Sequence, residues 1–70
     1  MMPLSLGDVG EEYIIKKIGG SQEVKKHLEN LGFTVGMGAT VINTVGGNII
    51  VKVKESRVAL DFQLANKIMI

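Results

Sequence analysis

Polar and apolar residues alternate in the middle of the chain, in two segments separated by a pair of glycines. In the run NIIVKVK, Lys52 and Lys54 fall on one face and the β-branched residues between them fall on the other, which is typical of a strand with one buried face. The preceding run, ATVINTV, is also rich in β-branched residues. Gly46 and Gly47 supply the positive φ angles that a tight turn demands, so the pattern predicts a β-hairpin.

The segment SQEVKKHLENLG has a different period. From Val24 onward, apolar residues recur at i, i+4 and i+7, which predicts an amphipathic helix. Gly20 or Ser21 can supply its N-cap, and Gly32 stands where a left-handed residue would end it. Both ends of the helix are therefore specified by the sequence.

The remaining segments predict short elements on either side. EEYIIKKIGG predicts a strand at about residues 11–18, a turn at Glu55-Ser56 leads into RVAL, and DFQLANKI fits a helical turn capped by Asp61 before a last strand, IMI. The whole pattern predicts a mainly β fold: a small SH3-like barrel of about five strands, with one inserted α-helix and a short helical turn before the last strand. Residues 1–70 form a single domain, and because barrel closure removes most sheet edges, we expect a monomer.

Composition narrows the possible functions. The chain has 70 residues, no cysteine and a formal charge of +1, so it carries no disulfide, no thiolate metal site and no strong field for a phosphate backbone. No segment approaches the roughly 20 apolar residues that span a bilayer, and no signal peptide is visible. We therefore expect a cytoplasmic protein without direct membrane insertion.

Three glycines lie close together in HLENLGFTVGMGATV, after the predicted helix. Gly36-Met37-Gly38 is a G-x-G, but the third glycine of a dinucleotide fingerprint is missing and a strand follows instead of a helix. The glycines are therefore interpreted as structural: Gly32 ends the helix, and Gly36 and Gly38 permit the turn into the next strand.

The chain offers little for catalysis or tight metal binding. His27 is the only histidine and no serine has the context of a nucleophile, so we do not expect an enzyme. Glu23 and His27 are spaced i and i+4 on the helix and could share a metal ion, but two ligands make a loose site. No cofactor is required, and a weak transition-metal-binding module remains an alternative.

Small barrels that bind single-stranded nucleic acid combine a basic groove with stacked aromatic rings. Aromatic residues make up only 4% of this chain, as Tyr13, Phe33 and Phe62, and the lysines occur in separated pairs. We therefore expect no nucleic-acid binding and keep this function as an alternative.

The order of these motifs resembles the ferrous iron transport protein A family, FeoA. HLENLGFTVGMGATVIN is similar to that family's helix ending Leu-x-x-Leu-Gly, followed by a turn, a second glycine and a strand. MPLSLGDVGEEYIIKKIGG resembles its start and RVALDFQLANKIMI its closing pattern, so the resemblance spans the chain. Two departures are visible: Val35 stands where many members have Pro, and the hairpin at Gly46-Gly47 is shorter than a common form.

The resemblance implies an SH3-like fold related to the C-terminal barrel of iron-dependent repressors. It also implies a small cytoplasmic accessory to the membrane iron transporter FeoB, whose cytoplasmic part includes a GTP-binding domain. The family is not known for catalysis, and the resemblance implies at most a weak or transient contact with Fe²⁺.

Phe33 and Met37 are the candidate partner-binding residues, because both are large apolar residues in a glycine-flanked turn. An exposed apolar patch marks an interface, and Met adapts to differing surfaces. The alternative is that both side chains plug the open end of the barrel, and the sequence favours neither.

Overall fold

The computed structural model describes all 70 residues of the chain. A 3-10 turn at Leu4–Leu6 precedes the first strand. Six strands and two helices follow in the order β1 (Glu12–Ile14), β2 (Lys17–Ile18), α1 (Gln22–Asn30), β3 (Gly38–Val45), β4 (Asn48–Val53), β5 (Ser56–Asp61), α2 (Phe62–Ala65) and β6 (Ile68–Met69). No helix is long and apolar enough to cross a bilayer.

The strands form two sheets. The first has four strands in the order β1-β3-β4-β5, and the second pairs β2 with β6; every pairing is antiparallel. The pairing of β2 with β6 brings the early part of the chain against its last residues, and it is extended by a bridge between Pro3 and Met69. The mainly β architecture is therefore confirmed, with six strands instead of about five.

The strand predicted at residues 11–18 is divided, because its two halves serve different sheets. β1 pairs with β3, whereas the N–H of Lys16 already donates to the C=O of Met69 at 2.8 Å. Between them, Ile15 is fully buried and its backbone bonds to the loop after α1. The segment thus bends over from one sheet to the other.

Both helix caps agree with the sequence. The Ser21 hydroxyl accepts a hydrogen bond from the N–H of Val24 at 3.2 Å, and an Asp61 carboxylate oxygen accepts one from the N–H of Leu64 at 2.8 Å. Gly32 follows the C-cap residue Leu31 and has a φ of 107°, the left-handed conformation that was predicted there. The two caps set the points at which the chain leaves strand pairing and enters α1 and α2.

The two hairpin turns differ from the prediction in detail. Of the glycine pair between β3 and β4, only Gly46 adopts a positive φ, at 59°. The turn predicted at Glu55-Ser56 lies one residue earlier: Lys54 occupies the turn with a φ of 55°, and Ser56 is already the first residue of β5. Lys54 therefore does not share the strand face of Lys52, because the chain reverses at that residue.

One buried cluster holds the two sheets and α1 together, and a single aromatic residue lies within it. Its members are Leu4, Ile15, Leu28, Phe33, Ala39, Val41, Ile49, Val51, Val53, Leu60, Ala65, Ile68 and Ile70. None of the buried side chains is polar or charged. The core is therefore stabilised by apolar burial alone, as expected for a chain rich in Val, Ile and Leu.

Candidate partner-binding surface

Residues 34–37 form a tight turn between α1 and β3. The N–H of Met37 donates to the C=O of Thr34 at 3.1 Å, and Gly36 has a φ of 92°. A positive φ at the third position is typical of a type II turn, which favours Gly there and Pro at the second position. Val35 occupies that second position, and its side chain is 63% exposed.

This turn is fixed against the segment that joins the two sheets. The N–H of Gly36 donates to the C=O of Ile15 at 2.8 Å, and the N–H of Ile15 donates to the C=O of Met37 at 2.9 Å. Because Ile15 points inward, its neighbour Ile14 points outward and is 54% exposed. The backbone therefore presents Ile14 and Val35 on adjoining segments.

Met37 completes this apolar region. It is half-buried and packs against the core cluster from the edge of the turn. We call Ile14, Val35 and Met37 the turn surface. Exposed apolar residues on adjoining backbone segments are candidates for an interaction site.

Phe33 lies in the core and not on this surface. Its side chain has no exposed area, because the end of α1 folds it inward: the N–H of Gly32 donates to the C=O of Glu29, and the N–H of Phe33 donates to the C=O of Leu28, both at 2.9 Å. This is the Schellman arrangement, in which the second residue after the C-cap, here Phe33 after Leu31, packs back on the last turn. Of the two alternatives that the sequence leaves open, burial is the one that applies to the Phe33 side chain, whereas Met37 lies at the surface edge.

Gly38 does not belong to the turn as predicted. It is the first residue of β3 and its φ lies outside the left-handed region, so the turn depends on Gly36 alone. A Cβ at Gly38 would stand 2.7 Å from Oε2 of Glu12, whose side chain lies over this position. The absence of a side chain at Gly38 thus leaves room for the Glu12 carboxylate beside the turn surface.

A shallow depression lies on each side of the turn. The first, of about 260 Å³, is mainly polar and is lined by Glu12, Met37, Gly38, Thr40, Lys52 and Lys54. The second, of about 230 Å³, separates the turn from α1 and is lined by Ile18, Lys25, Glu29, Phe33, Thr34 and Val35, with buried Phe33 as its floor. A partner that contacts the turn would therefore find a charged rim on both sides.

The structure adds little to the other candidate sites, which are the possible metal pair on α1 and the aromatic residues. Glu23 and His27 are both exposed on α1, and no group of three or more His, Cys, Asp or Glu side chains comes together anywhere in the chain. Tyr13 and Phe62 are half-buried and pack against the core. Sequence reasoning missed Ile14 and Val35; the alternation of Tyr13 and Ile15 about Ile14 was the available signal for the first.

The fold and this surface define a small SH3-like barrel with one exposed apolar turn. The family model described as the FeoA domain matches residues 2–70, and the chain therefore belongs to the FeoA domain family. It is 36% identical, over 100% of its length and 85% of the relative's, to a Methanocaldococcus jannaschii protein assigned as Fe(2+) transport protein A.

Solved structures agree with this assignment. The crystal structure of an iron uptake regulatory protein, FeoA, is 30% identical with a TM-score of 0.87, covering 96% of this chain and 89% of that one. Stenotrophomonas maltophilia FeoA complexed with zinc, described as a procaryotic SH3 domain protein, is 20% identical with a TM-score of 0.86, covering 99% and 88%. This second likeness supports the SH3-like fold alone.

The predicted kinship with iron-dependent repressors has a structural counterpart. A manganese-dependent transcriptional repressor superimposes with a TM-score of 0.85 at 17% identity, over 94% of this chain and 38% of the repressor. The barrel is thus shared between proteins of different length.

Proposed function

We propose that this chain is an accessory protein of ferrous iron uptake that binds the cytoplasmic part of a FeoB-type transporter through the turn surface. Membership of the FeoA domain family supports the role in iron transport. The partner and the surface are our inference. They rest on one observation above all: Ile14 and Val35 are exposed on adjoining, hydrogen-bonded segments beside half-buried Met37.

The physical argument concerns rigidity as well as exposure. Residues 34–37 are held by their own turn hydrogen bond and by two bonds to Ile15. A surface that is already ordered loses little conformational entropy on binding, so more of its contact energy appears as affinity. A branched Val at the tip and an adaptable Met at the edge suit an apolar pocket on the partner.

Binding of the isolated cytoplasmic part of the transporter tests this proposal. We expect Val35→Ser and Ile14→Ser each to weaken the affinity about tenfold, equivalent to about 1.4 kcal/mol, without loss of folding stability. Val45→Ser is the matched control, because Val45 is 57% exposed but lies at the far end of β3 from Gly38.

Calorimetric titration of the parent chain, the three single variants and an Ile14→Ser, Val35→Ser double variant separates the outcomes. Weaker binding by both turn-surface variants and unchanged binding by Val45→Ser supports the turn surface. Equal affinity of the parent chain and a folded Ile14→Ser, Val35→Ser double variant would show that the transporter contacts another region. If the parent chain does not bind the cytoplasmic part of the transporter, the transporter is not its partner.

A further inference from the structure

β5 is an unpaired edge of the four-stranded sheet. It is hydrogen-bonded to β4 on one side, and no strand lies on its other side. Its six residues contain no proline. An edge strand of this length presents free backbone donors and acceptors that can pair with another strand.

The pairing with β4 shows which backbone groups are free. The hairpin closes on Val53 and Ser56, and beyond its other end the N–H of Phe62 donates to the C=O of Gly47 at 3.3 Å. Directly opposed residues of an antiparallel pair alternate between bonded and non-bonded pairs. The residues of β5 that hydrogen-bond to β4 are therefore Ser56, Val58 and Leu60. The N–H and C=O groups of Arg57 and Ala59 point to the free edge instead, as does the N–H of Asp61.

The side chains of the same three residues are exposed. Arg57, Ala59 and Asp61 are exposed, as is Ser56 at the start of the strand, while Leu60 is buried and Val58 is half-buried. The free edge thus has a cation at one end, a small residue in the middle and an anion at the other end. When two copies of this strand lie antiparallel, the cationic end of each copy therefore lies opposite the anionic end of the other.

We propose that β5 pairs antiparallel with β5 of a second copy of this chain, about a two-fold axis through Ala59. In this register Arg57 of each copy faces Asp61 of the other, and the two Ala59 residues face each other. A shift by two residues would place Ala59 opposite a charged residue, and a shift by four would bring two like charges together. Opposite charges across strands are favourable and like charges are not, so the charges select the centred register.

The second function of Asp61 is compatible with this arrangement. One of its carboxylate oxygens caps α2 by accepting from the N–H of Leu64. A carboxylate has two oxygens and about four acceptor positions, so the second oxygen remains available for an arginine. The charge that orders α2 would then also select the register of the dimer.

The association is expected to be weak. Five paired residues on each strand bury much less than the roughly 1,200 Å² typical of stable interfaces. The ion pairs lie at the surface and are screened at high salt. Self-association is therefore expected only at high protein concentration and low ionic strength, and the chain is expected to be a monomer under other conditions.

NMR and sedimentation equilibrium on the full chain, up to millimolar concentration at low salt, test the proposal. We expect a concentration-dependent monomer-dimer equilibrium in which amide shift changes are strongest at residues 57–61, and a several-fold weaker association in 1 M salt. Ala59→Pro is expected to be folded and monomeric throughout, because the N–H that it removes points away from β4. Lys26→Glu is the control, a charge change at an exposed α1 position that is expected to leave the association unchanged.

Charge exchange tests the register. Arg57→Glu is expected to abolish dimerisation, and the Arg57→Glu, Asp61→Arg double variant to restore it, provided that circular dichroism shows a folded protein despite the lost cap. A parent chain that stays monomeric at every concentration would overturn the proposal. A dimer that is unaffected by Ala59→Pro, or one with shift changes on another surface, would overturn it equally.

Discussion

The ring of Tyr13 lies across Gly7. A Cβ added to Gly7 would stand 2.9 Å from Cε2 of Tyr13, and the Tyr13 hydroxyl accepts a hydrogen bond from the N–H of Asp8 at 2.9 Å. The φ of Gly7 is −68°, so its backbone would accept any residue. The requirement for glycine at this position is therefore one of space.

Gly7→Ala is expected to lower the free energy of unfolding by about 1 to 3 kcal/mol, the usual cost of overpacking. The added methyl group would meet the Tyr13 ring, the C=O of Leu4 and a Val41 methyl group within 3.3 Å. Urea denaturation measures the effect. Gly7→Ala in a Tyr13→Ala background should lose less stability, and equal losses in both backgrounds would contradict the role of the ring.

Phe33→Ala is expected to cost about 3 to 5 kcal/mol of folding stability, because it removes the largest fully buried side chain. The neighbouring Val35→Ala should change stability by less than about 0.5 kcal/mol, since Val35 is largely exposed. Denaturant titration of the two variants compares a core residue with a surface residue two positions apart. Similar losses would show that the segment is not held as described.

Val35→Pro is expected to stabilise the fold by about 0.4 to 1 kcal/mol, because proline suits the second position of a type II turn and restricts the unfolded chain. Gly36→Ala should destabilise by about 1 to 2 kcal/mol, because the φ of Gly36 is 92°. Thermal unfolding of both variants checks these opposite signs. A Val35→Pro variant that is less stable than the parent chain would exclude the type II geometry.

The two glycines of the β3–β4 hairpin should respond differently to alanine. Gly46→Ala is expected to cost about 1 to 2 kcal/mol, because Gly46 has a φ of 59°. Gly47 has an ordinary φ, and no atom lies within 4 Å of the position that a Cβ would occupy there, so Gly47→Ala should be neutral or slightly stabilising. The melting temperatures of Gly46→Ala and Gly47→Ala test this difference. Gly46→Asn should be more stable than Gly46→Ala, because Asn tolerates a positive φ better than Ala does.

Asp61→Ala is expected to destabilise the chain by about 0.5 to 2 kcal/mol through loss of the cap on α2, whereas Asp61→Asn should be close to neutral. Denaturation in urea compares the two variants. Equal losses for Ala and Asn would assign the effect to the charge of Asp61 instead of to its hydrogen bond.

Local signals made the helix ends predictable. Ser21, Gly32 and Asp61 act on backbone groups within a few residues of themselves, so their roles follow from the sequence alone. The burial of Phe33 also follows from a local signal, because the Schellman hydrogen bonds that turn its side chain inward depend on Gly32. Extending the Schellman pattern to the second residue after the C-cap would have placed Phe33 in the core.

The division of residues 11–18 could not be predicted in this way. It depends on which distant strands pair with each half, namely β3 with β1 and β6 with β2. The apolar run itself is continuous at that point. The turn surface also depends on contacts between distant parts of the sequence, since the segment of Ile14 adjoins the segment of Val35 through the hydrogen bonds of Ile15 to residues 36 and 37.

The pairing of β2 with β6 also has a consequence for the kinetics of folding. β3, β4 and β5 are joined by two-residue turns, so their contacts close short loops. Lys17 and Met69, in contrast, are paired although most of the sequence lies between them. Because long loops carry the larger entropic cost before any contact repays it, we expect the three-stranded meander to form in the folding transition state and the small sheet to close afterwards. Destabilising changes in β2 and β6 should then accelerate unfolding while leaving the folding rate nearly unchanged.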